Sequence, residues 1–249
     1  SKTKDIWIDV FDDYSLEIIK DNFSLIYGLK IQSSVLFNEK LLSKLINLKP
    51  HNISLIINIS GIRISEIKSI IKRFDNSNFK KIHLQVGYQD YPTSPSQSGL
   101  HKISVLKKYF TNDISYADHL DPRKDGNYQY ASFAINSDVK IIEKHIMHSK
   151  LQTIYDYHSS SNYVEINNYR KSLLNCSSHA RKVFINNMQK KFILGTESKY
   201  LKQTILTPVL SKNINVIRPL SLNDDLNYFR TNREGISTID LKKLQKEFY

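Results

Sequence analysis

Cysteine is almost missing from this sequence: Cys176 is the single one in 249 residues. One thiol cannot build an internal disulfide framework, which excludes a small disulfide-stapled secreted scaffold and suits a reducing cytoplasm. No apolar run approaches the ~20 residues that span a bilayer, and no basic-then-apolar leader opens the chain. It starts at Ser1 rather than Met, as a processed or cut product would. No Gly-x-Gly-x-x-Gly follows the first strand-like run, which argues against a dinucleotide-binding sheet. No arginine-rich block and no RRM, zinc-finger or helix-turn-helix pattern is present, which weakens a nucleic-acid reading. No internal repeat or low-complexity tract interrupts the chain.

Hydrophobic residues make up 40%, enough for one large domain or one domain with a small appendage. The formal net charge of +12 admits three readings: nucleic-acid binding, an anionic small substrate drawn to a basic cleft, or a plain lysine bias on solvated helix faces. The lysines are spread (Lys40, Lys44, Lys68, Lys72, Lys80, Lys81, Lys107, Lys108), as the third reading expects.

Short β-branched apolar runs alternate with helix-period stretches. The runs Asp5–Phe11, Tyr27–Ser33, Ser54–Ser60, Lys81–Gly87, Asp113–Asp118 and Val139–His145 predict strands. Ser15–Asn22, Asn38–Leu48, Ser65–Lys72 with Ser65 as N-cap, Ser98–Phe110, the short Tyr130–Asn136 and Asn162–Asn175 predict helices. Strands without in/out polarity, each followed by a helix, predict a parallel sheet covered on both faces. A (β/α)8 barrel needs eight strands, and six are visible before residue 146. Residues 177–201 are polar and basic without strong periodicity and read as a linker or arm. The tail holds short mixed segments (Thr204–Leu210, Ile214–Pro219) and a final helix Thr238–Glu247.

Two histidines, His119 and His145, end two of the strand-like runs. In a parallel α/β barrel the working residues project from the C-terminal strand ends, and a His from each of two such ends is what a divalent metal requires.

Several strings, in order, resemble the sialic acid (N-acetylneuraminate) synthases and their relatives that make nonulosonic acids. They are Leu29-Lys-Ile-Gln-Ser-Ser34, Asn58-Ile-Ser-Gly61, Gly87-Tyr-Gln-Asp-Tyr-Pro-Thr93, Ser115-Tyr-Ala-Asp-His119 and Ile141-Ile-Glu-Lys-His145. In the tail, Arg230-Thr-Asn-Arg-Glu-Gly-Ile-Ser237 resembles the loop of the antifreeze-like (SAF) domain. The resemblance implies a TIM (β/α)8-type barrel lacking its first two strands, followed by a partial SAF-like segment. The implied divisions are a barrel part over 1–176, an arm over 177–201 and the SAF-like segment over 202–249. It also implies condensation of phosphoenolpyruvate with an open-chain N-acyl amino sugar, assisted by Mn²⁺ or Mg²⁺, with phosphate leaving. The implied setting is a cytoplasmic homodimer.

Under the resemblance His119 and His145 are metal ligands; ordinary hydrogen-bonded histidines are the alternative. Asp118 and Glu143 flank them and could orient an imidazole or act in acid–base chemistry, or merely solvate strand ends. Lys30, in an apolar run, should meet an anion, either phosphoenolpyruvate or a core carboxylate. Ser33 and Ser60 suit phosphate oxygens or plain turns. Gln89 and Tyr91 could bond substrate hydroxyls or carboxylate. Asp156 belongs to a segment expected to close over the sugar, and Arg230 (or Arg233) to a loop offered to a neighbouring subunit's site. Val35 and Ala117 depart from the family's Glu and Ser. These departures and the two missing strands motivate a second reading, a non-catalytic relative or fragment acting as a binding or assembly module. Two open strand edges should be covered by a partner chain, a dimer mate or the 177–201 arm.

Overall fold

The structure, a computed structural model, describes residues 4–124, 127–148, 156–174, 192–193, 195–211, 221, 224–230 and 243. The chain order is β1 (Ile6–Val10), α1 (Asp13–Asp21), β2 (Ile26–Ile31), α2 (Glu39–Asn47), β3 (Ser54–Asn58), α3 (Ile64–Phe74), β4 (Lys81–Val86) and α4 (Lys102–Tyr109). It continues with β5 (Asp113–Asp118), α5 (Asn127–Asn136), β6 (Ile141–Lys144), α6 (Tyr163–Leu174), α7 (Gly195–Thr204), β7 (Leu206–Leu210) and β8 (Leu226–Arg230). The six-stranded sheet has the order β1-β2-β3-β4-β5-β6, and its registered pairs are parallel. Strand order equal to chain order, with no reversal, is the order of a TIM-barrel wall and not of a doubly wound sheet. The fold is therefore a partial TIM-type barrel, and all six expected strands are present.

Two compact units divide the chain: Ser1–Ile57 with Ile64–Lys81 and Ser198–Tyr249, and Asn58–Arg63 with Ile82–Glu197. In the first, Ser54, Leu55, Ile56 and Ile57 of β3 are all buried, as a strand covered on both faces requires. The α2 face of Leu41, Leu42 and Leu45 is buried as its 3.6-residue period demands. Each such leucine stabilises the fold by roughly 1.5–3 kcal/mol relative to exposure, and Leu45→Ala would cost about 2–5 kcal/mol. Asp12 caps α1 in a reciprocal box with Ser15, and Asn38 Oδ1 caps α2 by accepting from the Leu41 amide at 3.1 Å. The antiparallel pair β7–β8 also lies in this unit.

In the second unit Leu84, Val86, Ile114 and Tyr116 form the buried strand core, with Ile103 and Leu106 of α4. Asn162 caps α6: its Oδ1 accepts from the Glu165 amide at 3.0 Å, while Glu165 accepts from the Asn162 amide at 2.8 Å.

Several expectations need correction. Ser65 is not an N-cap, because α3 already begins at Ile64. The first turn of the predicted 98–110 helix is replaced by a 3-10 turn at Pro95–Gln97 and a bend, so α4 starts at Lys102 and Phe110 is its extended C-cap. The helix at Tyr130 starts three residues earlier. Part of the aperiodic arm is helical: α7 begins at Gly195. The rest of the arm from 177 to 191, the 214–219 segment, the SAF-like loop over 231–237, Arg233 and the final helix apart from Lys243 lie outside the described residues, as does the side chain of Arg230. Beyond β6, Ser161 bridges the outgoing chain: its amide donates to the His145 carbonyl at 2.8 Å and its carbonyl accepts from Met147 at 3.0 Å.

Candidate metal centre

Parallel register and the two-residue pleat sort the residues at the ends of β5 and β6 into two clusters. Ala117 is level with Glu143, and Asp118 with Lys144. Side chains alternate along a strand, so Glu143 and His145 share one face with His119, while Asp118 and Lys144 share the other.

On the first face, His119, Glu143 and His145 each offer a ligand atom, and these atoms all lie within 4.8 Å of one another. The two imidazole centroids are 5.1 Å apart. The Tyr91 ring packs on both, at 4.5 Å from His119 and 5.5 Å from His145. Its hydroxyl donates to Gln89 Oε1 at 2.7 Å, so Gln89, Tyr91 and the two histidines are brought together.

Each cluster member has its own support. His119 Nδ1 is 2.8 Å from the Tyr88 carbonyl. A carbonyl only accepts, so Nδ1 carries the proton and Nε2 of the neutral ring carries the lone pair. The Ser159 hydroxyl donates to the His119 carbonyl at 2.8 Å, and the Thr93 amide to the same oxygen at 2.9 Å. His145 Nδ1 is 3.4 Å from an Asp156 carboxylate oxygen, the carboxylate–imidazole pairing that orients metal-ligating histidines. Asp156 holds a left-handed backbone (φ 57°) at the start of the 3-10 turn Tyr157–Ser159, a conformation that aspartate tolerates better than most residues. That turn is pinned by Arg123, which donates to the Tyr157 carbonyl at 2.8 Å and stacks 4.5 Å from the Tyr157 ring centroid. Glu143 Oε2 accepts from the Gln85 amide at 3.0 Å. Gln85 Oε1 accepts from Asn58 Nδ2 at 2.9 Å, and Asn58 Oδ1 from the Ser60 amide at 3.0 Å. The predicted residue Ser60 thus caps a buried amide chain that ends on Glu143.

The close approach of this layer depends on Gly87. Its φ of +136° is open to glycine, and a Cβ there would run into the Ala117 carbonyl.

On the opposite face, Asp118 is 1% exposed as a side chain and 3.6 Å from Lys144 Nζ. It also accepts from the Leu120 amide at 3.0 Å, and Lys144 donates to the Leu120 carbonyl at 2.5 Å. Burial lowers the Lys144 pKa, against the opposing pull of Asp118. Asp118 is thereby engaged away from the imidazole face.

In the other unit, Lys30 is buried, with Nζ 3.8 Å from Asp9. Gln32 donates to the same carboxylate at 3.2 Å. Ser33 is buried in the 3-10 turn Ser33–Val35. These residues are level with the strand ends of β1 and β2, where Asp9 registers with Lys30.

Two imidazole nitrogens with one carboxylate oxygen form a donor set that first-row divalent ions accept, and the fixed His119 tautomer directs a lone pair from Nε2. The residues present therefore fit a metal. Sequence reading missed Gln85, Asn58, Tyr88 and Arg123; a lone polar residue inside an apolar strand run, Gln85 between Leu84 and Val86, was a usable signal.

The NeuB family profile matches residues 6–183. The chain belongs to the NeuB family. A search of curated proteins gives no match. Among solved structures, this NeuB chain is similar to the spore coat polysaccharide biosynthesis protein spsE of Bacillus subtilis, at TM-score 0.74 and 17% identity, over 96% of this chain and 66% of that one. It is similar to an N-acetylneuraminic acid synthetase of Leptospira borgpetersenii serovar Hardjo-bovis, at TM-score 0.55 and 24% identity, over 78% of this chain and 62% of that one. A phospho-2-dehydro-3-deoxyheptonate aldolase of Thermotoga maritima matches at TM-score 0.55 and 14% identity, over 72% and 51%. At these identities the likeness shows the fold. The chain spans less than two thirds of the length of these structures. Among the described residues, no helix is long and apolar enough to cross a membrane.

Proposed function

We propose that this NeuB chain carries the metal-binding part of a nonulosonic (sialic-type) acid synthase site. The reaction joins C3 of phosphoenolpyruvate to the aldehyde carbon of an open-chain N-acyl hexosamine; water adds at C2 and phosphate leaves. The observation that supports this most is the cluster of His119, Glu143 and His145 at two adjacent strand ends of a NeuB barrel. His119 and His145 would hold Mn²⁺ or Mg²⁺, with Glu143 beside them. When bound, such an ion supplies Lewis-acid stabilisation of the aldehyde oxygen as negative charge develops.

The chain's own groups do the rest. Asp156 orients His145, and the Tyr88 carbonyl orients His119. Gln89 and Tyr91 line the approach to both imidazoles and provide hydrogen-bonding groups for substrate. Glu143, held by Gln85, is the acid–base candidate on this face. Asp118, the other acid–base candidate, is paired with Lys144 on the opposite pleat face. Lys30, Ser33 and Ser60 are proposed for the anionic ends of phosphoenolpyruvate, with Asp9 neutralising Lys30 until an anion arrives. Arg230, the 1–176, 177–201 and 202–249 divisions and a homodimer belong to the same proposal.

Phosphate release from phosphoenolpyruvate plus N-acetylmannosamine and Mn²⁺ tests this reading, with His145→Ala as control. Release that needs sugar, metal and His145 supports it. Val35 and Ala117, which stand where the family carries Glu and Ser, motivate a second reading, a binding or assembly module; Mn²⁺ binding without phosphate release from any N-acyl hexosamine would select it.

A further inference from the structure

Two imidazoles from two strands bind an ion well when the backbones that carry them are held in register. In this chain one short segment, 156–161, reaches both. Its three serines, Ser159, Ser160 and Ser161, are 0%, 4% and 0% exposed. The Ser159 hydroxyl donates to the His119 carbonyl at 2.8 Å. Two residues on, the Ser161 amide donates to the His145 carbonyl at 2.8 Å. At the start of the segment the Asp156 carboxylate stands 3.4 Å from His145 Nδ1. The segment is also closed on itself. The Asp156 carbonyl accepts from the Ser159 amide at 3.0 Å and from the Ser160 hydroxyl at 2.8 Å. The Tyr157 carbonyl accepts from the Ser160 amide at 3.2 Å. Shifting such a segment would strand buried polar groups, so it behaves as one stiff strap.

Arg123 fastens the strap from the loop after β5. Its Nη2 donates to the same Tyr157 carbonyl at 2.8 Å, and its guanidinium carbon lies 4.5 Å from the Tyr157 ring centroid. Asp121 fixes the guanidinium in turn: its Oδ1 accepts from Arg123 Nε at 2.9 Å and from the Arg123 amide at 3.0 Å. A planar fork can hold a carboxylate, a carbonyl and a ring face together, which a lysine ammonium does not reproduce. Asp121 follows His119 by two residues. The clamp therefore begins beside one histidine and ends on the segment that reaches the other.

We propose that the 156–161 strap, clamped by Asp121 and Arg123, sets the placement of His119 and His145 relative to each other. Arg123 and Ser159 are positioning residues that act through it. The proposal rests on the metal role of the two histidines for its functional meaning, but the placement of their rings is read in metal-free protein.

The test is made on the full chain with Arg123→Met, Ser159→Ala and the double variant. Carbon–proton NMR of the two imidazoles is recorded without metal, and calorimetry reads Mn²⁺ affinity. Leu45→Ala, a core substitution in the other unit, controls for lost stability and is expected to leave both ring signals in place. Arg123→Met bonds to neither ring in the wild-type arrangement it replaces, which is to Asp121 and Tyr157, yet it is expected to move the signals of both. Its Mn²⁺ affinity is expected to fall by about 10-fold, the low end for groups that orient a ligand. Ser159→Ala is expected to move the His145 signals as well as those of His119. The double variant is expected to lose no more affinity than the weaker single variant, because both changes act through one strap. If Arg123→Met does not fold, the His145 response in Ser159→Ala decides the matter. Unchanged His119 signals in folded Arg123→Met, unchanged His145 signals in Ser159→Ala, or affinity losses that multiply in the double variant overturn the proposal. Ring signals that move as expected in a protein that binds no Mn²⁺ uphold the strap and remove the metal reading.

Discussion

The Gln85 side-chain amide donates to the Glu143 carboxylate at 3.0 Å across 58 residues of sequence. One side chain of β4 therefore decides where the carboxylate of β6 stands relative to the two imidazoles. Gln85 is itself held by Asn58 at 2.9 Å, so the chain of amides runs from the end of β3 to the cluster.

Gln85→Leu removes the donor to Glu143 and the acceptor for Asn58. Leaving two buried polar groups unpaired should cost about 1–3 kcal/mol each. Loss of Glu143 orientation should also weaken Mn²⁺ binding by on the order of 10-fold. Urea denaturation and calorimetry read the two effects separately; a variant with wild-type values in both would show that the amide chain has no such role.

Lys144 and Asp118 give a contrast on the other pleat face. Lys144→Met alone leaves a buried carboxylate uncompensated and should destabilise by about 3–5 kcal/mol. Lys144→Met with Asp118→Leu removes both charges and should recover most of that loss. Denaturant midpoints of the single and double variants decide it: equal losses would mean that the pair is not coupled.

The Asp121–Arg123 pair predicts an acid limit. Burial raises the Asp121 pKa, but the Arg123 amide, guanidinium hydrogen bond and charge outweigh it, so the net value lies below the usual 3.8. A carboxylate with a folded pKa below its unfolded one contributes stability fully above the unfolded value. That contribution is lost as pH falls from about there through the folded value. Arg123 is partly exposed, so the contribution is put at about 1 kcal/mol after allowance for solvent screening. Asp121→Asn should be less stable than wild type at pH 7, and the gap should shrink as pH falls below the usual carboxylate value of 3.8. A gap that persists unchanged at low pH contradicts the assignment.

What could be read from residues alone divides along physical lines. The six strands were legible because runs such as Ser54–Asn58 are buried on both faces and carry no competing signal. His119 and His145 were legible because polar residues end apolar runs. The face of Asp118 was also legible, since one residue separates it from His119 and the pleat alternates; its partner Lys144 follows from register, which needs the neighbouring strand. Gln85 left a usable mark, an amide inside an apolar run, but its partners Asn58 and Glu143 lie 27 and 58 positions away and follow only from the fold. The Tyr88 carbonyl was hidden for a stronger reason: a backbone acceptor leaves no mark in residue type. Lys102 looked like one lysine of many, and its buried partner Glu197 lies 95 positions away.

The most direct test of the account is a Mn²⁺ titration of the full chain followed by calorimetry or Mn²⁺ paramagnetic resonance, repeated with His119→Ala and His145→Ala. The account predicts one bound ion per chain in the wild type and its loss in both variants while each remains folded. No ion in the wild type, or an ion bound equally well by both variants, would contradict it.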